Sequence, residues 1–157
     1  MLKLAFLASR NGSSMRAVLQ AIAEGELAAE ARLAVSNNRA APALEAAAAA
    51  GVATAWIPTR DDPAAADMAL AQALRDSGAD LVILSGYLRK LGPQVLRAFQ
   101  GRILNIHPGP LPQFGGEGMY GRRVHEAVIA RITALEPGFF VRTLKEIASG
   151  QRRLPEA

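Results

Sequence analysis

Asn105 and His107 stand two residues apart at the end of an apolar stretch, Ile103-Leu104-Asn105-Ile106-His107. In an extended chain that spacing sends both side chains out from one face, with Leu104 and Ile106 on the other. An amide donor beside an imidazole suits a carbonyl oxygen that becomes negative as a tetrahedral intermediate forms. The amide stabilises the charge and the imidazole assists the proton. Pro108, Gly109, Pro110 and Pro112 stiffen the exit from this stretch. The other histidine, His125, falls in a predicted helix and reads as a surface or packing residue.

Two further segments carry residue types with possible chemistry. Ser9-Arg10-Asn11-Gly12-Ser13-Ser14 is a turn and cap cluster before a helix starting at about Ser13. Free amides and the positive end of the helix dipole face whatever sits in that loop, Gly12 allows close backbone approach, and two hydroxyls add donors. Neither a Walker nor a dinucleotide glycine pattern is present, so a phosphate site and a plain capped turn both fit. Leu84-Ser85-Gly86-Tyr87-Leu88-Arg89-Lys90-Leu91 follows the most apolar run and mixes leucines, an aromatic ring and two cations. Backbone groups leaving a strand end can bind a flat heterocycle between apolar walls, and an ordinary strand-to-helix connection fits equally.

Positioning these three segments requires a scaffold, and the hydrophobic pattern supplies one. MLKLAFLA (1–8), ARLAVSN (31–37), VATAWIP (52–58), ADLVILSG (79–86) and GRILNIH (101–107) read as strands. Between them lie helical stretches from about Ser13, from Ala41 to Ala50 stopped by Gly51, and from Asp61-Asp62-Pro63 to Ser77. This alternation predicts an α/β fold: a Rossmann-like, mostly parallel sheet with helices on both faces, in a single domain over residues 1–157. Ligands of such sheets bind beyond the carboxyl ends of the strands, where all three segments fall. Val124, Val128, Ile132 and Leu135 have helical spacing and predict one continuous helix near the end of the chain.

Composition narrows the function classes. The 157 residues are 50% hydrophobic and 20% charged, which excludes disordered and collagen-like chains. There are no cysteines, so a disulfide framework and a thiolate metal site are impossible, and a reducing cytoplasm is the expected compartment. No apolar run reaches membrane-span length and no signal-peptide pattern opens the chain, so no membrane association is expected. A net charge of +4 over this length is a weak field without clustered aromatics, which suits a phosphorylated or carboxylated small molecule better than nucleic acid. Nothing in the pattern bears on oligomeric state.

Asn105-Ile106-His107-Pro108 running into Leu111-Pro112 resembles the signature of the folate-dependent formyltransferases. Gly118-Met119-Tyr120-Gly121-Arg122-Arg123-Val124-His125-Glu126, with Asn11-Gly12-Ser13 and Val35-Ser36-Asn37, is similar to the branch acting on glycinamide ribonucleotide in purine synthesis. Relatives that formylate initiator methionyl-tRNA normally continue differently after the prolines. Hydrolases of formyltetrahydrofolate normally carry a second His where Pro108 stands. The resemblance implies transfer of a formyl group from the co-substrate 10-formyltetrahydrofolate to the amine of glycinamide ribonucleotide, without metal. By motif position, His107 is then the main catalytic group and Asn105 the oxyanion donor. Asn11, Gly12, Ser13 and Ser14 match the ribonucleotide-binding loop, and Glu136 matches a carboxylate on its sugar. Leu88, Arg89, Lys90 and Leu91 match the segment that cradles the folate, with Leu88 also bordering the ribonucleotide. Arg10 stands where Gly is usual in relatives, and Ser14 where Asn is usual.

One departure is larger. The resemblance implies that a family segment of roughly three to four dozen residues, enough for two or three strands, is lacking between Ala130 and Arg131. That segment bears an Asp partnering the catalytic His. Asp61, Asp62, Asp67, Asp76 and Asp80 lie in or beside earlier helices and none replaces it, so no catalytic Asp is assigned. Two readings follow: a working protein that includes a segment this chain lacks, or a non-catalytic phosphate- or folate-binding relative. A true deletion is expected to expose sheet edge and apolar surface.

Overall fold

A computed structural model describes residues 1–107, 128–133, 137–151 and 154. The elements run β1 (Leu2–Leu7), α1 (Ser13–Ala23), β2 (Ala29–Ser36), α2 (Pro42–Ala49), β3 (Thr54–Trp56), α3 (Pro63–Ser77), β4 (Leu81–Leu84), α4 (Pro93–Ala98), β5 (Ile103–His107), β6 (Val128–Thr133) and α5 (Pro137–Ala148). The strands form one six-stranded sheet in the order β3-β2-β1-β4-β5-β6. Every adjacent pair is parallel.

Parallel strands covered by helices on both sides must be apolar on both faces, and the central strands are. Leu4 and Phe6 of β1 pack on one side with Met15 and Val18 of α1 and Leu144 of α5. Ala5 and Leu7 pack on the other with Leu70 and Leu74 of α3 and Val95 of α4. All four residues of β4 are buried. The alanine richness has a structural use in α2, where Ala43 and Ala47 are buried and let this short helix sit close to the sheet.

The chain moves outward from β1 through β2 to β3, then returns through α3 to β4 on the other side of β1. The order therefore reverses between β1 and β4, which places a crevice beyond their carboxyl ends. Local chemistry fixes the flanking helices. Asp62 caps α3 by accepting the Ala65 amide at 3.0 Å, Pro63 occupies the first turn, and Gly78 ends the helix at φ 72°. The capping acid, the proline and the end of the helix at Ser77 agree with the sequence reading.

Two expectations are corrected. Val128–Thr133 is a strand, not part of a continuous helix: β6 pairs with β5, matching Asn105 to Arg131 and His107 to Thr133. The segment VIARIT is rich in β-branched residues, whose stiff side chains favour extended backbone and outweigh its helical spacing. The Ala130–Arg131 junction thus lies inside a strand, and β5 is covered by β6 rather than bare. The cap of α1 also differs: Gly12 is the N-cap residue at φ 64° and ψ 48°, with no side-chain cap from the serines.

Gly12 is constrained twice. Its backbone is left-handed, and a Cβ there would lie 3.0 Å from Ala43 Cβ and 3.3 Å from Met15 Cε. Left-handed backbone costs a residue with a Cβ about 1–2 kcal/mol. Gly12→Ala is therefore expected to lower the melting temperature by about 2–8 °C, measured by thermal unfolding; an unchanged transition would contradict this account of the turn.

Candidate functional site

The site is assembled from the loops after β1 and β4 and from the end of β5. After β1, the chain turns through residues 8–12 into α1. Arg16 stiffens that turn, donating from Nε to the Asn11 carbonyl at 2.8 Å and from its guanidinium to the Pro42 carbonyl at 3.3 Å. The Met15 amide is taken by the Ser85 hydroxyl at 3.0 Å. Among the described residues the amides of Ser13 and Ser14 have no protein acceptor and point into the loop at the positive end of α1. Ser13 is exposed and Ser14 half-buried. Backbone donors so placed at a helix start can meet an anion. Arg10 is exposed, and its carbonyl accepts the Ala43 amide at 2.9 Å. Its bulk therefore does not crowd the turn.

After β4, residues 85–92 leave the sheet beside that loop. Leu91 is buried, Arg89 half-buried, Lys90 exposed, and Leu88 is 59% exposed. A large apolar side chain so exposed at a sheet edge is a natural surface for a flat ring. The Leu88 amide is already used, donating to the Ser9 hydroxyl at 2.8 Å. Among the described residues the amides of Arg89 and Leu91 have no protein acceptor. Of the four residues expected to meet the folate, two thus present free backbone donors.

Beneath this segment lies a cavity of about 530 Å³ between α3 and α4, lined in part by Thr59, Asp67, Tyr87, Lys90, Leu91 and Gln94. Asp67 shapes its floor: the buried carboxylate accepts the amides of Gln94 at 2.9 Å and Val95 at 3.1 Å, capping α4 from a neighbouring helix. A Cβ on Gly92 would collide with that carboxylate, so only glycine fits there. Sequence reasoning missed this role. The signal was an acid on the same helix face as Leu70, Ala71 and Leu74. Three other acids are engaged elsewhere: Asp62 caps α3, Asp80 accepts the Lys3 amide at 2.9 Å and Asp76 accepts from Gln72 at 2.7 Å. A second hollow of about 390 Å³ adjoins the site, lined by Asn37, Asn38, Pro58, Thr59, Arg60, Asp61 and Arg89.

Tyr87 is half-buried on the cavity wall. Burial pushes its phenol up to about 12, against the opposing pull of Arg89. An unfolded tyrosine ionises near 10, so between those values the folded chain holds a proton that the unfolded chain has lost. The contribution is complete below pH 10 and is lost as pH rises through 12. Phenolate absorbance is expected to show one tyrosine titrating near pH 12 that Tyr87→Phe removes. Titration of Tyr87 near pH 10 would contradict its burial.

Asn105 and His107 occupy the carboxyl end of β5. Asn105, half-buried, lies in register with Leu84, the last residue of β4, and His107 is the last residue of its own strand. The backbone thus brings both positions to the edge where the β1 and β4 loops converge. Pro108 to Pro112, the Gly118–Glu126 segment with His125, and Glu136 lie outside the described residues. Among the described residues no cluster of His, Cys, Asp or Glu could hold a metal, and no helix is long and apolar enough to cross a membrane.

Residues 2–146 match the formyl transferase family. The chain belongs to that family. It is 36% identical over 130 residues to a chloroplastic phosphoribosylglycinamide formyltransferase of Arabidopsis thaliana, covering 81% of this chain and 44% of the relative. The enzyme of that name from Bacillus subtilis is 35% identical over 136 residues, covering 85% and 70%. Among solved structures, glycinamide ribonucleotide transformylase 1 from Symbiobacterium toebii superposes with a TM-score of 0.70 at 36% identity, covering 80% of this chain and 60% of that one. The chain thus spans less than half the length of the plant relative. As a formyl transferase it carries the expected α/β sheet with helices on both faces, and the described strands are all parallel.

Proposed function

We propose that this formyl transferase moves a formyl group from 10-formyltetrahydrofolate to the amine of glycinamide ribonucleotide. The meeting of the loops after β1 and β4 with the carboxyl end of β5, where Asn105 and His107 stand, supports this reading. The backbone-lined turn at Gly12, Ser13 and Ser14, with Asn11 beside it, receives the ribonucleotide phosphate. Leu88, Arg89, Lys90 and Leu91 receive the folate: the free amides of Arg89 and Leu91 meet its ring, and Leu88 separates it from the ribonucleotide. Arg60 and Arg89, which line one hollow, suit the carboxylates of the folate's glutamate tail. Glu136 is proposed to bind the ribonucleotide sugar.

The reaction then has defined roles. The ribonucleotide amine attacks the formyl carbon, and the carbonyl electron pair moves onto oxygen. The Asn105 amide donates to that oxyanion. His107 hydrogen-bonds the same oxygen and assists proton movement from the attacking nitrogen to the departing folate nitrogen. Collapse re-forms the carbonyl and releases formylglycinamide ribonucleotide and tetrahydrofolate. No metal is needed, because the charge is met by hydrogen-bond donors. The residues proposed here include no aspartate partner for His107, and the cytoplasm is the proposed compartment. The domain is proposed to span residues 1–157 and to lack the family's acid-bearing segment. An intact-protein mass near 16.6 kDa would place that lack in the protein itself.

Binding to the two loops is tested by thermal unfolding with each substrate separately. A ligand at a hundredfold its dissociation constant stabilises the fold by about 2.7 kcal/mol, so each should raise the transition by about 5–10 °C. A transition unmoved by either ligand would overturn the reading.

A further inference from the structure

Two serine hydroxyls tie the loop after β1 to the loop after β4, in opposite directions. Ser9, only 4% exposed, accepts the Leu88 amide at 2.8 Å and donates its own proton to Asn37 Oδ1 at 2.6 Å. Ser85, 3% exposed, accepts the Met15 amide from the first turn of α1 at 3.0 Å. Two backbone bonds run alongside: Ser9 donates to the Gly86 carbonyl at 3.2 Å, and Ser85 to the Leu7 carbonyl at 2.8 Å. The proposed phosphate turn therefore holds the backbone of the proposed folate segment, and the base of that segment holds the start of α1.

We infer that Ser9 and Ser85 are positioning residues that couple the two loops, so that occupancy of one tightens binding at the other. The inference rests on the proposed function, which assigns one substrate to each loop. The Ser85 bond is buried and the Ser9 bond partly buried, so a movement that breaks either gives up a hydrogen bond shielded from water. A phosphate that orders the β1 turn fixes Ser9, and with it the Leu88 amide. The folate then meets a segment already ordered and loses less conformational entropy on binding. By linkage, folate bound first tightens the ribonucleotide by the same factor. One hydroxyl bond between the loops corresponds to about a fivefold change in affinity, or about 1 kcal/mol.

Titration calorimetry on the full chain tests this. The dissociation constant of glycinamide ribonucleotide is measured alone and with saturating tetrahydrofolate, which binds without turnover, and then in the reverse order. The unsubstituted protein should show about fivefold tightening in both orders, and Ser9→Ala should reduce the ratio to about one. Ser85→Ala should do the same from the opposite side and carries the test if Ser9→Ala does not fold. A purely architectural role predicts a lower melting temperature with the ratio intact, and that outcome overturns the inference. A ratio of one in the unsubstituted protein, with both ligands binding, also overturns it while leaving the functional reading standing. Failure of both ligands to bind overturns the functional reading and this inference with it.

Discussion

Replacing His107 by alanine should reduce kcat by about two to four orders of magnitude, with KM for both substrates within about twofold of the unsubstituted value. The imidazole is proposed to act on the oxygen and the migrating proton, groups that change only as the reaction proceeds. Its loss therefore falls on the transition state and not on ground-state binding. The fold should survive, because His107 ends β5 and the strand is held by backbone pairing to β4 and β6. Steady-state kinetics with circular dichroism separates these effects. Undiminished turnover in a folded His107→Ala protein would refute the assignment.

Asn105→Ala should lower kcat by about two to three orders of magnitude, the usual cost of removing one oxyanion donor. Asn105 sits half-buried in the interior of β5, in register with Leu84 on one side and Arg131 on the other. Its position is thus set by a ladder independent of its side chain. Because both groups are proposed to serve one oxygen, the double variant should lose less than the product of the single losses. A KM effect for the ribonucleotide with kcat preserved would instead make Asn105 a binding residue. Strictly multiplicative losses would place the two side chains on different atoms.

Much of this edge was legible from residue types. β1, β4 and β5 announce themselves as short apolar runs, and Asp62-Pro63 starts α3 through chemistry that works at short range. The alternation of strand and helix implies a parallel sheet, and it directs attention to the loops after β1, β4 and β5, with the order reversing between β1 and β4. β6 was misread because Val128 and Ile132 lie four apart, a spacing shared by a helix face and by alternate positions of a strand. Its density of β-branched residues was the better signal.

The bonds that shape the site were not legible. Ser9 reads as one more turn residue, yet its hydroxyl receives an amide 79 positions away. Ser85 accepts an amide from the first turn of a helix 70 positions earlier in the chain, where the sequence pointed only to the local cluster at residues 9–14. Asp67 reads as one carboxylate among several on a helix, and only the tertiary approach of α4 gives it two amides to hold. Local pattern reports on neighbours in sequence, while these contacts depend on which loops the sheet order brings together.

The account stands or falls on chemical transfer by the full-length protein. Incubated with glycinamide ribonucleotide and 10-formyltetrahydrofolate carrying an isotopic label in the formyl group, it should place the label on the ribonucleotide amine. One tetrahydrofolate should be released for each formyl group moved. Binding of both substrates with no labelled ribonucleotide formed would contradict it, and would make the chain a binder of phosphate and folate that performs no transfer.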